Sequence, residues 1–274
     1  MIKIDFGADW KYRRTDGGEW SETEIPHDAA MYEKRTKDAE AGVNTGWYLG
    51  ADYEYVKTFS VPAEYEDKDV IFEFEGVYHN AEVYLNGEKA AFRPYGYTNF
   101  YVTANKNLRY GRENEIRVLA RNADQPNSRW YSGAGIYRPV NMYVGNKKRI
   151  VLNGVRIRTL SLYPAAVEVT VQTTGVGEVR VVIEKDGREV ASGSCEQTGG
   201  NAVFALEIRD AKLWSVDTPE LYTCRAFFDD DEQSVNFGIR TLTCDHTDGL
   251  CINGERVIIR GACIHSDNGI LGAR

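Results

Sequence analysis

The stretch Tyr53-Glu54-Tyr55-Val56-Lys57-Thr58-Phe59-Ser60-Val61 decides the fold class, because its residues alternate between two faces. Successive side chains of a β-strand point to opposite sides of the sheet, so this alternation predicts a strand with one buried face. That face carries Tyr53, Tyr55, Phe59 and Val61. Residues 70–75 and 116–120 repeat the pattern, with no amphipathic helix among them. The sequence therefore predicts an all-β fold.

Tight turns separate the strands. Asn86-Gly87, Asp186-Gly187 and Asn253-Gly254 each fit a two-residue hairpin turn of type I′, in which both residues have positive φ. Turn-punctuated short strands predict an antiparallel sandwich of jelly-roll type in the first part of the chain. Residues 31–41 are polar on all sides, and we predict an ordered loop there rather than a helix.

The polar connector at 145–149 marks the predicted domain boundary. The jelly-roll domain is predicted over residues 1–146. About seven strands in roughly 95 residues then predict an immunoglobulin-like sandwich over 147–242, although the cysteine and tryptophan spacing of true immunoglobulin domains is missing.

The closing residues, 243–274, follow a different pattern. An apolar run at 257–259 leads into a loop with His265 and Asp267. Titratable side chains directly after a buried strand are typical of a TIM barrel, whose loops at the strand ends carry the chemistry. We therefore predict a hairpin and the first strand of a truncated barrel. A neighbouring His and Asp are also a common structural pair, and the residues alone leave both interpretations open.

Composition excludes several classes of function. The net charge of −8 and the lack of a basic cluster argue against nucleic-acid binding. No apolar run reaches the roughly 20 residues that cross a bilayer, so no membrane partner is expected. Five cysteines without CxxC spacing indicate neither a disulfide framework nor a zinc site, and we expect no metal and no cofactor. The start of the chain has no secretory pattern, which favours a cytoplasmic location.

Residues 127–139 form the most unusual loop of the sequence. It carries Ser128, Arg129, Trp130 and Tyr131, followed by two glycines that allow close backbone approach. Polar and aromatic side chains in one loop suit either the hydroxyl face of a sugar or a domain interface. Residue chemistry alone does not separate the two.

An ordered series of short motifs resembles glycoside hydrolase family 2, and most closely its bacterial β-galactosidases. The series covers nearly the whole chain. It consists of Ile25-Pro26-His27-Asp28, Gly76-Val77, Leu85-Asn86-Gly87, Gly96-Tyr97-Thr98, Ser128-Arg129-Trp130-Tyr131, Gly135-Ile136-Tyr137-Arg138, Leu213-Trp214-Ser215, Thr218-Pro219-Glu220-Leu221-Tyr222, Phe237-Gly238-Ile239-Arg240, Asn253-Gly254 and Arg260-Gly261 through Asn268-Gly269.

The resemblance implies a retaining enzyme whose barrel holds two catalytic glutamates. Neither glutamate's motif occurs in this sequence, so the chain is expected to be an inactive N-terminal part of a β-galactosidase, with no catalytic residue of its own. By resemblance, the substrate-binding residues are His265, Asp267, Ser128, Arg129, Trp130 and Tyr131. Many relatives have a second histidine where this chain has Ser266, which puts any role of that histidine in doubt.

Other functions stay open at the level of sequence. The parent enzyme could instead be of β-glucuronidase or β-mannosidase type. The first sandwich could act alone as a carbohydrate-binding module, or the chain could be a purely structural array of sandwiches. The expected partner is a β-galactoside in the intact enzyme, and a homo-oligomer is left open.

Overall fold

The computed structural model describes residues 1–266 and 272–273. The chain divides into two compact units. The first unit comprises residues 2–145 together with 263–274, and the second comprises Met1 with 146–262. The change from one unit to the other thus falls within the polar stretch that follows the first sandwich, and the closing residues group with the first unit.

Two sheets build the first unit as a β-sandwich of jelly-roll type. One has six strands in the order β3-β2-β4-β9-β6-β7, and the other has four in the order β1-β10-β5-β8. The strands are β1 Ile2–Asp5, β2 Trp10–Arg14, β3 Ser21–Thr23, β4 Ala51–Val61, β5 Lys68–Phe74, β6 Ala81–Leu85, β7 Glu88–Arg93, β8 Phe100–Thr103, β9 Arg112–Asn122 and β10 Val140–Asn146.

The predicted strand at 53–61 is confirmed and is the centre of the larger sheet. Strand β4 pairs antiparallel with β9, from Ala51 opposite Asn122 to Val61 opposite Arg112. Its apolar face enters the hydrophobic core, where Tyr53, Tyr55 and Val61 are fully buried. Because strand alternation sends every second side chain to this core, the pattern read from the sequence corresponds to the observed packing.

Turns and short 3₁₀ helices connect these strands. Asn86 and Gly87 have φ values of 51° and 86°, which is the positive-φ pair that a type I′ hairpin turn needs. The 3₁₀ helices are Ala29–Tyr32, Gly42–Thr45 and Ala63–Tyr65. Most of residues 31–41 is irregular, as predicted, and no helix of the described residues is long and apolar enough to span a bilayer.

The second unit contains the predicted immunoglobulin-like sandwich. Its sheets have the orders β11-β12-β15 and β14-β13-β16-β17, which makes seven strands. Their inward side chains form a separate hydrophobic core that includes Val169, Val181 and Phe228. The strands are β11 Ile150–Leu162, β12 Ala165–Thr173, β13 Gly177–Lys185, β14 Arg188–Gln197, β15 Asn201–Glu207, β16 Tyr222–Phe228 and β17 Asp231–Phe237.

A small three-stranded sheet follows, and the apolar run after it forms no regular strand. It consists of β18 Leu242–Asp245, β19 Gly249–Ile252 and β20 Glu255–Arg256, with the predicted turn at Asn253-Gly254. The Val257 amide still donates to the Leu250 carbonyl at 2.8 Å, but the expected strand at 257–259 does not form. Ile258 and Ile259 are 70% and 77% exposed. A barrel strand needs hydrogen-bonded strands on both sides, and no strand of the described residues pairs along this run.

Candidate functional site

The predicted site residues Trp130 and His265 lie face to face, although 134 positions separate them in the chain. Their rings stack with centroids 4.7 Å apart and planes inclined by 17°. Trp130 belongs to the loop between β9 and β10, residues 123–139, which we call the Trp130 loop. Its indole N–H donates to the Tyr97 hydroxyl at 3.0 Å. The structure thus joins the two stretches that the sequence had marked separately.

The other predicted residues have different surroundings. The Ser128 hydroxyl donates to the Trp130 carbonyl at 2.6 Å, so it stabilises the Trp130 loop from within. Arg129 is exposed. Tyr131 is buried, and its hydroxyl donates to Oδ2 of Asp28 at 2.7 Å. Burial, together with the nearby charge of Asp28, raises the pKa of Tyr131 well above its usual range, so the phenol stays protonated. Asp267 lies outside the described residues.

Asp28 is the buried residue of this region that sequence reasoning did not single out. Its carboxylate is 1% exposed and accepts four hydrogen bonds. Oδ1 accepts from the amides of Ala30 at 3.2 Å and Ala134 at 3.0 Å, and Oδ2 accepts from the Tyr131 hydroxyl and from the Ala273 amide at 2.8 Å. The sequence placed Asp28 in the motif Ile25-Pro26-His27-Asp28 but assigned no role to it.

A second group of side chains lies beside Trp130 and is connected to it through Tyr97. The Tyr78 hydroxyl donates to Oδ1 of Asn127 at 3.1 Å, and the Tyr78 and Tyr97 rings meet edge to face at 5.2 Å. Nδ2 of Asn127 lies 3.2 Å from Nε2 of His79. Burial lowers the pKa of His79, which favours its neutral form at pH 7. Tyr95, 56% exposed, extends the aromatic surface to solvent.

Gly135 shows why the loop sequence contains glycine at this position. Its φ is +92°, a conformation that other residues rarely adopt. A Cβ atom there would overlap the Tyr55 hydroxyl, and the backbone of Gly135 exchanges two hydrogen bonds with Tyr78, at 2.9 and 3.0 Å. The loop is therefore held close to the sandwich, and its aromatic side chains are presented on a rigid support.

These groups are of the types that contact sugars. Indole and phenol faces pack on apolar ring surfaces, and amides and hydroxyls exchange hydrogen bonds with a ligand's hydroxyl groups. The carboxylate of Asp28 is occupied by its four donors. Within residues 1–266 and 272–273, no cluster of three or more His, Cys, Asp or Glu side chains could hold a metal ion.

Comparison with known proteins defines the class to which this architecture belongs. The galactose-binding domain-like family of glycosyl hydrolase 2 matches residues 10–152, and the glycosyl hydrolases family 2 domain matches residues 153–240. The chain belongs to glycosyl hydrolase family 2. The resemblance inferred from the motif series is thereby confirmed.

Two curated relatives show which enzymes the chain is similar to. The chain is 34% identical to the β-galactosidase BoGH2A of Bacteroides ovatus, over 99% of its own length and 35% of that protein. It is 25% identical to a β-glucuronidase of Streptococcus agalactiae, over 98% of its length and 48% of that protein. The chain therefore spans less than half of each of these relatives.

Solved structures agree with the fold. A glycosyl hydrolase family 2 member from Bacteroides cellulosilyticus matches 100% of the chain with a TM-score of 0.87 and 29% identity, and the chain covers 40% of it. A β-glycosidase from Bacteroides vulgatus matches 100% of the chain, also with a TM-score of 0.87, at 27% identity and 38% coverage.

Proposed function

We propose that the protein to which this chain belongs is a retaining glycoside hydrolase that cleaves terminal β-galactosides. Family membership supports the hydrolase class, and the 34% identity to a β-galactosidase supports the sugar. The stacked pair of Trp130 and His265 carries the proposal for this chain. It joins the Trp130 loop to residues 263–266 and 272–273, which we call the closing segment, as expected for a pocket wall built from two parts of the protein.

In this proposal the chain binds and orients sugar but does not break the glycosidic bond. Retaining hydrolysis needs two carboxyl groups about 5–5.5 Å apart, one protonated to assist the leaving oxygen and one ionised to attack the anomeric carbon. We assign neither group to this chain. Trp130 and Tyr97 would stack on the C–H face of the sugar, and His265 and Asn127 would exchange hydrogen bonds with its hydroxyl groups.

The test compares the chain 1–274 with the longer protein on an aryl β-galactoside. Without both carboxyl groups, the chain alone should give no turnover above the rate in buffer, whereas the longer protein should release the aryl alcohol. Both proteins should be purified from a host that lacks β-galactosidase. Turnover by residues 1–274 would contradict the proposed accessory role, and inactivity of the longer protein on every β-glycoside would contradict the hydrolase itself.

A β-glucuronidase is the second candidate, favoured by the identity to the Streptococcus agalactiae enzyme and by the exposed Arg129 in the Trp130 loop. A glucuronate carboxylate calls for a charge-assisted partner such as a guanidinium, whereas galactose does not. Matched aryl β-galactoside and β-glucuronide substrates separate the two. A preference for the glucuronide that disappears in Arg129→Gln would replace the galactosidase proposal.

A third candidate function is that the first sandwich acts alone as a carbohydrate-binding module. Its basis is the aromatic surface formed by Trp130, Tyr97 and Tyr95. We expect weak binding or none from the chain alone, because this surface forms one wall of a pocket rather than a whole pocket. Saturable binding of galactose or lactose to residues 1–274 that Trp130→Ala abolishes would support the module.

A further inference from the structure

We infer that Asp28 is a positioning residue that holds the Trp130 loop and the closing segment in register, and thereby keeps Trp130 stacked on His265. Its structural part stands on the contacts of the first unit alone. Its consequence for catalysis rests on the proposed function, in which the stacked pair lines the sugar site.

The hydrogen bonds of Asp28 tie two distant stretches to the 3₁₀ helix that this residue caps. Ala30 comes from the 3₁₀ helix that Asp28 itself precedes, Tyr131 and Ala134 come from the Trp130 loop, and Ala273 comes from the closing segment. A carboxylate offers about four lone-pair sites, and here each oxygen accepts two donors. Bonds to an ionised acceptor are roughly twice as strong as neutral ones, so this cluster is a strong link between the stretches.

The donors flank both members of the stacked pair. Tyr131 directly follows Trp130 in the loop, and Ala273 lies in the same closing segment as His265. Fixing Tyr131 and Ala273 on one carboxylate therefore shortens the length of chain by which the imidazole can move away from the indole, because Ala273 comes only eight residues after His265. The Tyr97 hydroxyl accepts from the indole, whereas the Asp28 carboxylate accepts from residues on both sides.

Two glycines make the close approach to Asp28 feasible. Gly133 and Gly272 have φ values of +70° and +60°. A Cβ atom at Gly133 would lie 2.8 Å from Oδ2 of Asp28, and one at Gly272 would also overlap that oxygen. Side chains at either position would push the backbone away from the carboxylate. Both segments that the carboxylate joins thus carry glycine where they meet it.

The first experiment follows the imidazole signals of the chain 1–274 by ¹H–¹³C NMR. The sequence has four histidines, and His265→Gln assigns the signal of interest by its disappearance. Stacking on the indole should move the His265 ring protons upfield. In Asp28→Asn the amide group presents an N–H₂ to donors that need an acceptor, so most of the upfield displacement should be lost.

The matched control is Glu73→Gln, which damages another buried carboxylate of the same unit that also accepts four hydrogen bonds. Its donors are Asn99, Tyr101, Asn141 and Tyr143, none of them in the Trp130 loop or the closing segment. Glu73→Gln should lower stability but leave the His265 signal in place. An unchanged His265 signal in Asp28→Asn, or the same loss in both variants, would overturn the inference.

Tyr131→Phe covers the case in which Asp28→Asn does not fold. It removes a single hydrogen bond to Asp28 and leaves the Ala273 amide bonded, so a partial loss of the upfield displacement is expected. Amide hydrogen exchange at Ala273 gives an independent measure and should accelerate in Asp28→Asn. If Asp28→Asn is unfolded and Tyr131→Phe changes neither readout, the inference fails.

The second experiment asks for the effect on substrate binding in the longer protein. Because the stacked pair would contact sugar in the ground state and in the transition state alike, Asp28→Asn should raise KM about tenfold, equivalent to ~1.4 kcal/mol, and change kcat much less. A fall in kcat at constant KM would contradict a positioning role in sugar binding. Absence of any hydrolase activity would defeat the proposed function but not the NMR result.

Discussion

Glu73 is a buried carboxylate whose hydrogen bonds make the stability of the first unit depend on pH. It lies on β5, 6% exposed, with hydrogen bonds from Asn99 and Tyr101 to Oε1 and from Asn141 and Tyr143 to Oε2. Burial alone would raise the pKa of this carboxyl group. The four hydrogen bonds outweigh burial and hold the pKa below its ordinary value. The ionised form therefore stabilises the folded state.

We predict that Glu73→Gln lowers the free energy of unfolding of the first unit by ~1–3 kcal/mol at pH 7. Since the folded-state pKa lies below the unfolded-state value of about 4.3, the stabilisation is fully present above that pH and is lost as pH falls through the folded pKa. Urea unfolding at several pH values from 7 to 3, followed by tryptophan fluorescence, should show the wild type approaching the variant in acid.

Glu75→Gln serves as the comparison, because Glu75 is half-buried and its carboxylate accepts a bond from Asn141 without the full set of donors. Glu75→Gln should lower the free energy of unfolding by less than Glu73→Gln does. A stability difference for Glu73→Gln that stays constant from pH 7 to pH 3 would contradict the assigned role of the ionised carboxylate.

At the residue scale, the sequence identified side chains but not the contacts that unite them. Trp130 and His265 were singled out by family resemblance, and their stacking could not be read from either stretch alone. The importance of Asp28 was missed, because its donors come from loops that only tertiary packing brings together. Local pattern carries little information on contacts between residues more than 100 positions apart.

At the scale of elements, hairpin turns were the most predictable feature. Asn86-Gly87, Asp186-Gly187 and Asn253-Gly254 all have positive φ at both positions, as the dipeptides predicted. The run at 257–259 forms no regular strand, although it is as apolar as many of the observed strands. A turn is specified by its own two residues, whereas a strand also depends on neighbours that pair with it.

The Asn86 turn does more than reverse the chain. Nδ2 of Asn86 donates to the Asn107 carbonyl at 2.6 Å and to Oδ1 of Asn114 at 2.8 Å. Oδ1 of Asn86 accepts from the Glu115 amide at 3.0 Å. Asn114 is buried within this network. The hairpin β6–β7 is thereby fastened to β9.

We predict that Asn86→Ala destabilises the first unit by about 2–3 kcal/mol, since it leaves buried partners unsatisfied and places alanine at positive φ. Asp186→Ala is the matched control: Asp186 has nearly the same φ in the same kind of turn but is largely exposed. Asp186→Ala should lower the free energy of unfolding by about 1 kcal/mol, mainly because alanine is unfavourable at positive φ. Equal losses in urea unfolding would show that the side-chain network contributes nothing.

At the scale of the whole molecule, the cysteines occur in both units and differ in how far they are exposed to solvent. All five are free thiols: Cys244 and Cys263 are exposed, Cys195 is partly buried, and Cys224 and Cys251 are buried. The sequence predicted no disulfide framework from their number and spacing.

We predict that Ellman's reagent modifies the native chain in distinct phases. Cys244 and Cys263 should react at once, Cys195 more slowly, and Cys224 and Cys251 only after denaturation. Burial raises the pKa of Cys224 to about 11, so it has little reactive thiolate at pH 8 as well as no access to the reagent. Cys244→Ser and Cys263→Ser should each remove one equivalent from the fast phase. Rapid modification of Cys224 in the native chain would contradict the packing of β16 inside the second sandwich, because that thiol reaches solvent only when the core opens.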